Sequence, residues 1–138
     1  DLLKSCKKSS YLNKNIKKDF VLDAVAIYKR SSNILNNEEN VISQLIGSAD
    51  PGLFKNEYEK NLYKKIHEIR KYFSSIGKDE NYEQGLKTLS SAKIEVNDFF
   101  DNVIVNDEEE IIKKNRLELL KMLCKSFDNY FNFSKIEV

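Results

Sequence analysis

The residues of this chain that could perform chemistry are few and far apart. The single histidine, His67, has Lys64 three positions before it, whereas di-metal helical bundles use Glu-x-x-His pairs. Cys6 and Cys124 lie near opposite ends of the sequence and belong to no CxxC pair, which argues against a zinc site and against a disulfide framework. We therefore expect no bound metal, two reduced thiols and a structural role for His67.

Motifs for phosphate transfer and for nucleophilic catalysis are also absent from the sequence. It contains no GxxxxGK[ST] loop, no GxGxxG and no nucleophile-elbow motif. The acidic run Asp107–Glu110 fits the first turn of a helix, where acids complement the helix dipole. Acid–base chemistry would need buried carboxylates with perturbed pKa values. We therefore expect no catalytic residue, and interpret the chain as a binding or interaction domain.

The composition favours one helical domain. The chain has 138 residues with one Pro and four Gly, and 33% of its residues are charged, which suits long helices better than a β architecture. No apolar run reaches the roughly 20 residues that span a bilayer, so we expect no membrane partner. The start lacks an initiator Met and an apolar signal segment. We expect residues 1–138 to form a single domain, as a piece of a longer cytoplasmic polypeptide.

The net charge of +1 does not by itself indicate a nucleic-acid partner. The charges are uneven, however, because residues 1–18 carry lysines against a single acid; the lysines are Lys4, Lys7, Lys8, Lys14, Lys17 and Lys18. A basic segment of this kind either contacts phosphates or forms a solvated helix face. Both interpretations stay open at the level of sequence.

Hydrophobic spacing predicts a compact all-α bundle of about five to six helices. We expect a first helix that ends near Ser9 and Ser10, and a second that has Asp19 as its N-cap and runs to about Leu35. Residues 38–46 are expected to form a short helix or turn. Gly47 and the Asp50-Pro51-Gly52 cluster then mark a connection between helices; these positions are read directly from the sequence.

The helix that follows has the clearest pattern in the chain. Its apolar residues recur at steps of four and three and are Leu62, Ile66, Ile69, Phe73 and Ile76. Asn56 and Glu59 resemble a capping box, and Gly77 is the expected stop. Three further helices are predicted: one capped by Asn81, one within residues 93–104, and a last one that opens at Asp107.

The C-terminal part of the chain resembles a known family. Residues Val96 to Leu120 read VNDFFDNVIVNDEEEIIKKNRLELL. This is similar to V-x-x-FFD-x-V-x-V, an acidic turn and A-L-R-x-NRL-x-LL in the DALR-type anticodon-binding domain of glycyl-tRNA synthetase β subunits. The matching positions are Phe99, Phe100, Asp101, Asn102, Val103, Val105, Asn115, Arg116, Leu117, Leu119 and Leu120. The ending FNFSKI at Phe131 to Ile136 is similar to the family's ADFSKL-like ending.

Upstream segments resemble the same family in the same order. They are YKRSSNIL at Tyr28 to Leu35, DPGLF at Asp50 to Phe54, EKNL at Glu59 to Leu62, and NYEQGLKTL at Asn81 to Leu89. One departure concerns the family's Ala-Leu-Arg, which reads Ile111-Ile112-Lys113 here. Lys113 keeps the charge of that arginine but lacks the guanidinium fork.

The resemblance implies a fold, a function and partners. The fragment would be the C-terminal helical domain of a β subunit and would read the anticodon end of tRNA(Gly), with no DNA partner. A separate α subunit, in an assembly of two α and two β subunits, would carry the site that attaches glycine to the tRNA. The whole enzyme would use ATP and Mg²⁺, whereas this fragment would bind no cofactor and catalyse nothing alone.

Seven polar residues are candidates for contacts with the tRNA. They are Lys29, Arg30, Asn33, Asp101, Asn102, Asn115 and Arg116. Glycine anticodons end in two cytosines, and a carboxylate such as Asp101 can accept a hydrogen bond from the cytosine amino group. Each candidate also has a structural interpretation, in which Asn115 and Arg116 tie the last helix to the FFD segment. At least one of Phe99 and Phe100 is expected in the core.

Two other functions remain alternatives. The chain could be a helical module that docks on a partner protein, or the related anticodon-binding domain of arginyl-tRNA synthetase. An RNA interface and an apolar protein interface differ in their response to salt, because phosphate contacts weaken steeply as salt rises.

Overall fold

The computed structural model describes residues 2–76 and 81–135, with side chains over residues 7–76 and 81–134. Within these ranges the α-helices are α1 (Leu2–Asn15), α2 (Asp19–Asn36), α3 (Glu39–Ile42), α4 (Glu57–Ile76), α5 (Tyr82–Ser90), α6 (Lys93–Asn102) and α7 (Glu110–Asp128). Short 3-10 turns cover Pro51–Leu53 and Phe133–Lys135. The described ranges contain no strand, and α3 is a single turn, so the predicted all-α bundle of about five to six helices is confirmed.

The last helix, α7, forms the centre of the bundle. It packs against α2 on one side and α4 on the other, while α5 packs on α2 and α6 packs on α4. Twelve of its 19 residues are buried, which marks a helix surrounded by other elements. Its fully buried apolar residues are Leu117, Leu119, Leu120, Leu123 and Phe127. The position of α7 explains why polar residues on this helix are also buried.

The apolar stripe predicted on α4 faces the core as expected. Leu62, Ile66 and Ile69 are at most 1% exposed. At the start of this helix the Asn56 side chain accepts a hydrogen bond from the backbone N–H of Glu59 at 3.1 Å, as a capping residue does. The second half of the predicted capping box is different. The Glu59 carboxylate accepts from the backbone N–H of Lys55 at 2.9 Å, whereas in a capping box it would accept from the N–H of Asn56 itself. The predicted stop at Gly77 lies outside the described residues.

Three predicted helix boundaries are wrong. The first helix does not end near Ser9 and Ser10 but continues to Asn15, because Leu12 is buried and the Tyr11 ring packs against Tyr82 with centroids 5.6 Å apart. The N-cap of α2 is Lys18 instead of Asp19, which lies in the first turn. The third error concerns the start of α7.

The start of α7 is Glu110, three residues after the predicted Asp107. The Asp107 carboxylate accepts from the N–H of Glu109 at 2.9 Å and from Arg116 at 3.2 Å. These bonds hold residues 105–109 in a turn before the helix begins. Only Glu110 of the acidic run therefore lies in the first helical turn, so the predicted interaction of the run with the helix dipole applies mainly to this residue.

An aromatic cluster closes the end of the bundle where α7 finishes. Phe131 and Phe133 are 1% and 2% exposed, so the FNFS segment after α7 packs inward. The Tyr130 ring stacks on Phe73 of α4 with centroids 4.3 Å apart, and the Lys8 amine of α1 lies 4.4 Å from the centre of the same ring. The cluster thus joins α1, α4 and α7.

Gly85 on α5 is expected to be essential for the packing of Tyr130. A Cβ atom at this position would lie 2.4 Å from Cε2 of the Tyr130 ring, which is far inside van der Waals contact. We expect Gly85→Ala to lower the free energy of unfolding by about 1–3 kcal/mol through overpacking, although Ala is a better helix former than Gly. Urea titration followed by circular dichroism measures this change.

The matched control is Gln84→Ala on the exposed side of the same helix. This change should alter the free energy of unfolding by no more than about 0.5 kcal/mol. Equal stability of the Gly85→Ala and wild-type chains would show that Tyr130 can move aside without loss of packing.

Alkaline pH is expected to destabilise the fold by favouring loss of the proton from a buried thiol and a buried phenol, those of Cys124 and Tyr28. Burial, and then the Asp128 carboxylate, raise the pKa of Cys124 from 9.0 to about 12. Burial, and then a 2.8 Å hydrogen bond to Asp128, raise the pKa of Tyr28. Both groups hold their protons more firmly in the folded chain. The contribution of Cys124 to the free energy of unfolding is therefore complete below pH 9.0 and is lost as the pH rises toward about 12, and that of Tyr28 declines above pH 10.0.

Urea titrations at intervals from about pH 8 to about pH 11 measure this loss. Replacement of Cys124 by Ala lowers stability at every pH by removing packed atoms, but the decline with pH should become shallower. The two chains would decline in parallel if the thiol did not contribute.

Candidate nucleic-acid interface

Arg116 lies inside the protein and joins three segments. The residue is 5% exposed, and Nη1 donates to the carbonyl oxygen of Ile104 at 2.6 Å and to the Asp107 carboxylate at 3.2 Å. Nη2 donates to Oε1 of Glu59 at 3.4 Å, and Nε lies 3.4 Å from Oε2 of the same carboxylate. Glu59 is fully buried. The guanidinium therefore fixes α4, α7 and the segment after α6 relative to one another.

Asn115, the neighbour of Arg116, makes a reciprocal contact with the backbone of Asp50. Its amide oxygen accepts from the N–H of Asp50 at 2.7 Å, and its amide nitrogen donates to the carbonyl oxygen of Asp50 at 3.0 Å. Asn115 is 5% exposed. Both bonds are those that a neighbouring strand would make, so this side chain takes the place of a backbone partner for the loop before α4.

Glu118, which no sequence motif singled out, continues this polar side of α7. Its buried carboxylate accepts from the N–H groups of Ile46 and Gly47, at 2.9 Å and 2.8 Å. Farther along, the Met122 sulfur accepts from the N–H of Ala49 at 3.2 Å. The available signal was spacing, because positions 115, 118 and 122 recur at helical steps. These side chains hold a loop that has no regular backbone partners of its own.

Arg30 and Phe100 form the centre of an exposed surface between α2 and α6. The Arg30 guanidinium lies over the Phe100 ring, with its central carbon 4.3 Å from the ring centroid. At the other end of the two helices the Lys93 amine lies 3.2 Å from the Asp23 carboxylate. These two contacts show that α2 and α6 run in the same direction. The C-terminal ends of both helices therefore reach the same end of the bundle.

The other predicted contact residues of α2 and α6 lie within three residues of this pair along their helices. On α2, Asn33 is exposed one turn after Arg30, and Lys29 is half-buried. On α6, Asp101 and Asn102 are exposed, directly after Phe100, and the Asn102 amide donates to the carbonyl oxygen of Asp98 at 2.8 Å. We call Lys29, Arg30, Asn33, Phe100, Asp101 and Asn102 the α2–α6 surface.

The structure thus separates the seven predicted residues into two groups. The five on α2 and α6 are exposed or half-buried at one end of the bundle, whereas Asn115 and Arg116 are buried and hydrogen-bonded. Phe99 is fully buried, which confirms the expectation that at least one aromatic of the FFD segment lies in the core. Arg116 also ties α7 to the residues that follow this segment, as the structural interpretation anticipated. The same interpretation was wrong for Asn115, which binds the backbone of Asp50 instead.

The α2–α6 surface suits recognition of unpaired nucleotides. A guanidinium placed over an aromatic ring keeps its N–H groups available for a base or a phosphate. Carboxylate and amide groups beside it can exchange hydrogen bonds with base edges. In the described ranges no cluster of His, Cys, Asp and Glu could hold a metal ion. No described helix is both long and apolar enough to cross a bilayer.

Comparison with known proteins assigns a family to most of the chain. The model of the DALR anticodon binding domain matches residues 25–138. The chain is 38% identical over 109 residues to the glycine–tRNA ligase β subunits of Rickettsia prowazekii (strain Madrid E) and Rickettsia typhi (strain ATCC VR-144 / Wilmington). It is 36% identical over the same length to that of Rickettsia africae (strain ESF-5). These alignments cover 79% of this chain but only 16% of each relative.

Removal of the buried charge at Arg116 should strongly destabilise the fold. In Arg116→Met the Glu59 carboxylate stays buried without its cation, and the carbonyl oxygen of Ile104 loses its donor. We expect the free energy of unfolding to fall by about 3–5 kcal/mol, as when one partner of a buried ion pair is removed. Urea denaturation measures the change.

A double-mutant cycle separates the ion pair from the rest of the effect. The change Glu59→Gln should cost much less in the Arg116→Met background than in the wild-type chain, because the unpaired charge is then removed. Lys114→Met, an exposed neighbour on α7, is the control and should be close to neutral. Additive costs of the two single changes would exclude the coupling.

Proposed function

We propose a function for this chain from one premise, which is that it belongs to the family of DALR anticodon binding domains. The function is to bind the anticodon arm of a tRNA, with tRNA(Gly) as the cognate. The observation that carries the proposal is the family match over residues 25–138. The names of the related ligases, which are glycine–tRNA ligase β subunits, support the choice of the cognate tRNA.

The α2–α6 surface is the proposed site of anticodon recognition. Arg30 and Lys29 supply positive charge for phosphates, and the guanidinium of Arg30 on Phe100 offers a flat face on which a base can stack. Asp101 accepts a hydrogen bond from the amino group of an anticodon cytosine. Asn33 and Asn102 are proposed to contact other base edges or the sugars.

Asn115 and Arg116 contribute to this site by positioning it. Arg116 holds the carbonyl oxygen of Ile104, two residues beyond Asn102, and thereby fixes the end of α6. Asn115 holds the loop at Asp50 in the same way. Direct contact of either buried side chain with the tRNA would require the helix ends to open, so we assign them this supporting role.

The proposed larger context is a two-subunit ligase. In it, this chain is the C-terminal domain of a β subunit in the cytoplasm. An α subunit, in an assembly of two α and two β subunits, attaches glycine to the tRNA with ATP and Mg²⁺. The fragment itself has no catalytic step, and its contribution is the free energy of binding to one end of the tRNA.

A docking module for a partner protein is the second candidate function. Ile94 and Ile104 are 71% and 73% exposed, and exposed apolar residues can belong to protein interfaces. Salt separates the two functions, because affinity for RNA falls steeply with salt and an apolar interface does not show this response.

Binding to anticodon stem-loops tests the proposed function. We expect this chain to bind the stem-loop of tRNA(Gly) in a salt-sensitive manner, more tightly than the arginine stem-loop or a glycine stem-loop whose two cytosines are replaced. Asp101→Asn should reduce the preference for cytosine by about 1–3 kcal/mol, the usual value of one base-edge contact. Fluorescence anisotropy at two salt concentrations measures both effects.

The control variant is Asp98→Asn, which removes the same charge from an exposed position one turn earlier on α6. It should leave the base preference unchanged. If Asp101→Asn retains full discrimination, the carboxylate does not read cytosine. Equal binding to all the stem-loops would contradict anticodon recognition by this chain.

A further inference from the structure

A straight row of basic residues runs along the solvent side of α4. Lys60, Lys64, His67 and Lys71 follow one another at steps of four, three and four residues, so their side chains lie on one line of the helix. All four are exposed. At a rise of about 1.5 Å per residue, the row is roughly 16 Å long.

Packing does not account for this row. The buried residues of α4 are Glu59, Leu62, Ile66 and Ile69, and they lie on the opposite side of the helix. Among the described residues, the aromatic contact recorded for the row is that of His67. Its imidazole packs against the Tyr63 ring of the same helix with centroids 4.4 Å apart. The lysines therefore make no contribution to the core that would explain their order.

Neutralisation by neighbouring acids does not account for the row either. Over residues 7–76 and 81–134, no carboxylate lies within ion-pair distance of the amines of Lys60, Lys64 or Lys71. Of the acids that line the same groove as Lys64, Glu68 is paired with Lys65 at 3.5 Å, and Glu95 and Asp98 of α6 lie beyond ion-pair distance of the Lys64 amine. Like charges four residues apart destabilise a helix slightly. Repulsion between Lys60 and Lys64 therefore lowers the stability of α4, and no described ion pair of these two lysines compensates for it.

We infer that this row binds the phosphate backbone of the tRNA, as a second contact surface beside the α2–α6 surface. The inference rests on the proposed function for the identity of the RNA. Lysine ammonium groups act as point charges toward phosphates and carry no base preference. A row of roughly 16 Å is long enough to follow several successive phosphates of one RNA strand.

The position of the row in the fold supports this assignment. Lys60 follows Glu59, whose carboxylate pairs with Arg116, and Arg116 in turn holds the carbonyl oxygen of Ile104 after α6. The row therefore begins at the end of the bundle that carries Asp101 and Asn102 and runs away from it. This is the course that the paired stem takes from a loop whose bases are read at that end.

The test compares two triple variants of this chain. Lys60→Gln, Lys64→Gln and Lys71→Gln are combined in the first. The control combines Lys87→Gln, Lys93→Gln and Lys114→Gln, which removes the same charge from exposed lysines on α5, α6 and α7. Affinity for the anticodon stem-loop of tRNA(Gly), with its complete stem, is measured across a salt series, and the cytosine-replaced stem-loop is measured in parallel.

We expect the first variant to lose affinity by ~tenfold or more at low salt. Its affinity should also depend less on salt, with the slope of log affinity against log salt less negative by about 2 to 3 units. Its ratio of affinities for the two stem-loops should equal that of the wild-type chain. The control should keep a slope close to that of the wild-type chain. Circular dichroism and a urea titration verify that both variants are folded.

Of four further outcomes, three would overturn the inference and one would support it. An unchanged slope in the first variant would show that the row contacts no phosphate. The proposed function would then be supported only by a preference for the glycine stem-loop over the cytosine-replaced one. Equal losses in both variants would mean that affinity follows net charge. Loss confined to the first variant, but without base preference in any chain, would support the row while contradicting anticodon reading. No binding by the wild-type chain would contradict both.

Discussion

The buried ion pair between Arg116 and Glu59 is the constraint on which the rest of the bundle depends. Two charges removed from water are costly unless both are bonded, and here Nη1 of the guanidinium also donates to the Ile104 carbonyl and the Asp107 carboxylate. This geometry exists only if α4, α7 and the segment after α6 are in place together. The pair therefore selects one arrangement of these elements at the end of the bundle that carries the candidate site.

The same principle extends along α7. Irregular segments expose backbone groups that need partners, and the loop at residues 46–50 finds them in Asn115, Glu118 and Met122. Side chains on one rigid helix replace the strand or helix that the loop lacks. Short connections can then be fixed in position without secondary structure of their own. This explains why so much of the polar content of α7 is buried.

The sequence allowed the helices to be predicted where periodicity and packing agree. The stripe of α4 and the cap at Asn81 depend on local spacing, and both are present in the structure. The predicted start of α7 at Asp107 was wrong because the Asp107 side chain binds Arg116, a partner nine residues away that no local rule includes. The predicted end of α1 was wrong for a similar reason, since the last turn of this helix depends on the packing of Tyr11 against Tyr82.

The candidate site shows the corresponding limit of a motif. Asn115 and Arg116 belong to the family pattern as clearly as Asp101 does, yet they are buried while Asp101 is exposed. A motif records that residue types are needed, but burial determines whether they are needed for contact or for support. In this chain one motif contains both exposed and buried residues, and in the proposed recognition the buried Arg116 would hold the backbone that follows the exposed Asp101 and Asn102. The fold and the proposed recognition thus depend on the same few hydrogen bonds.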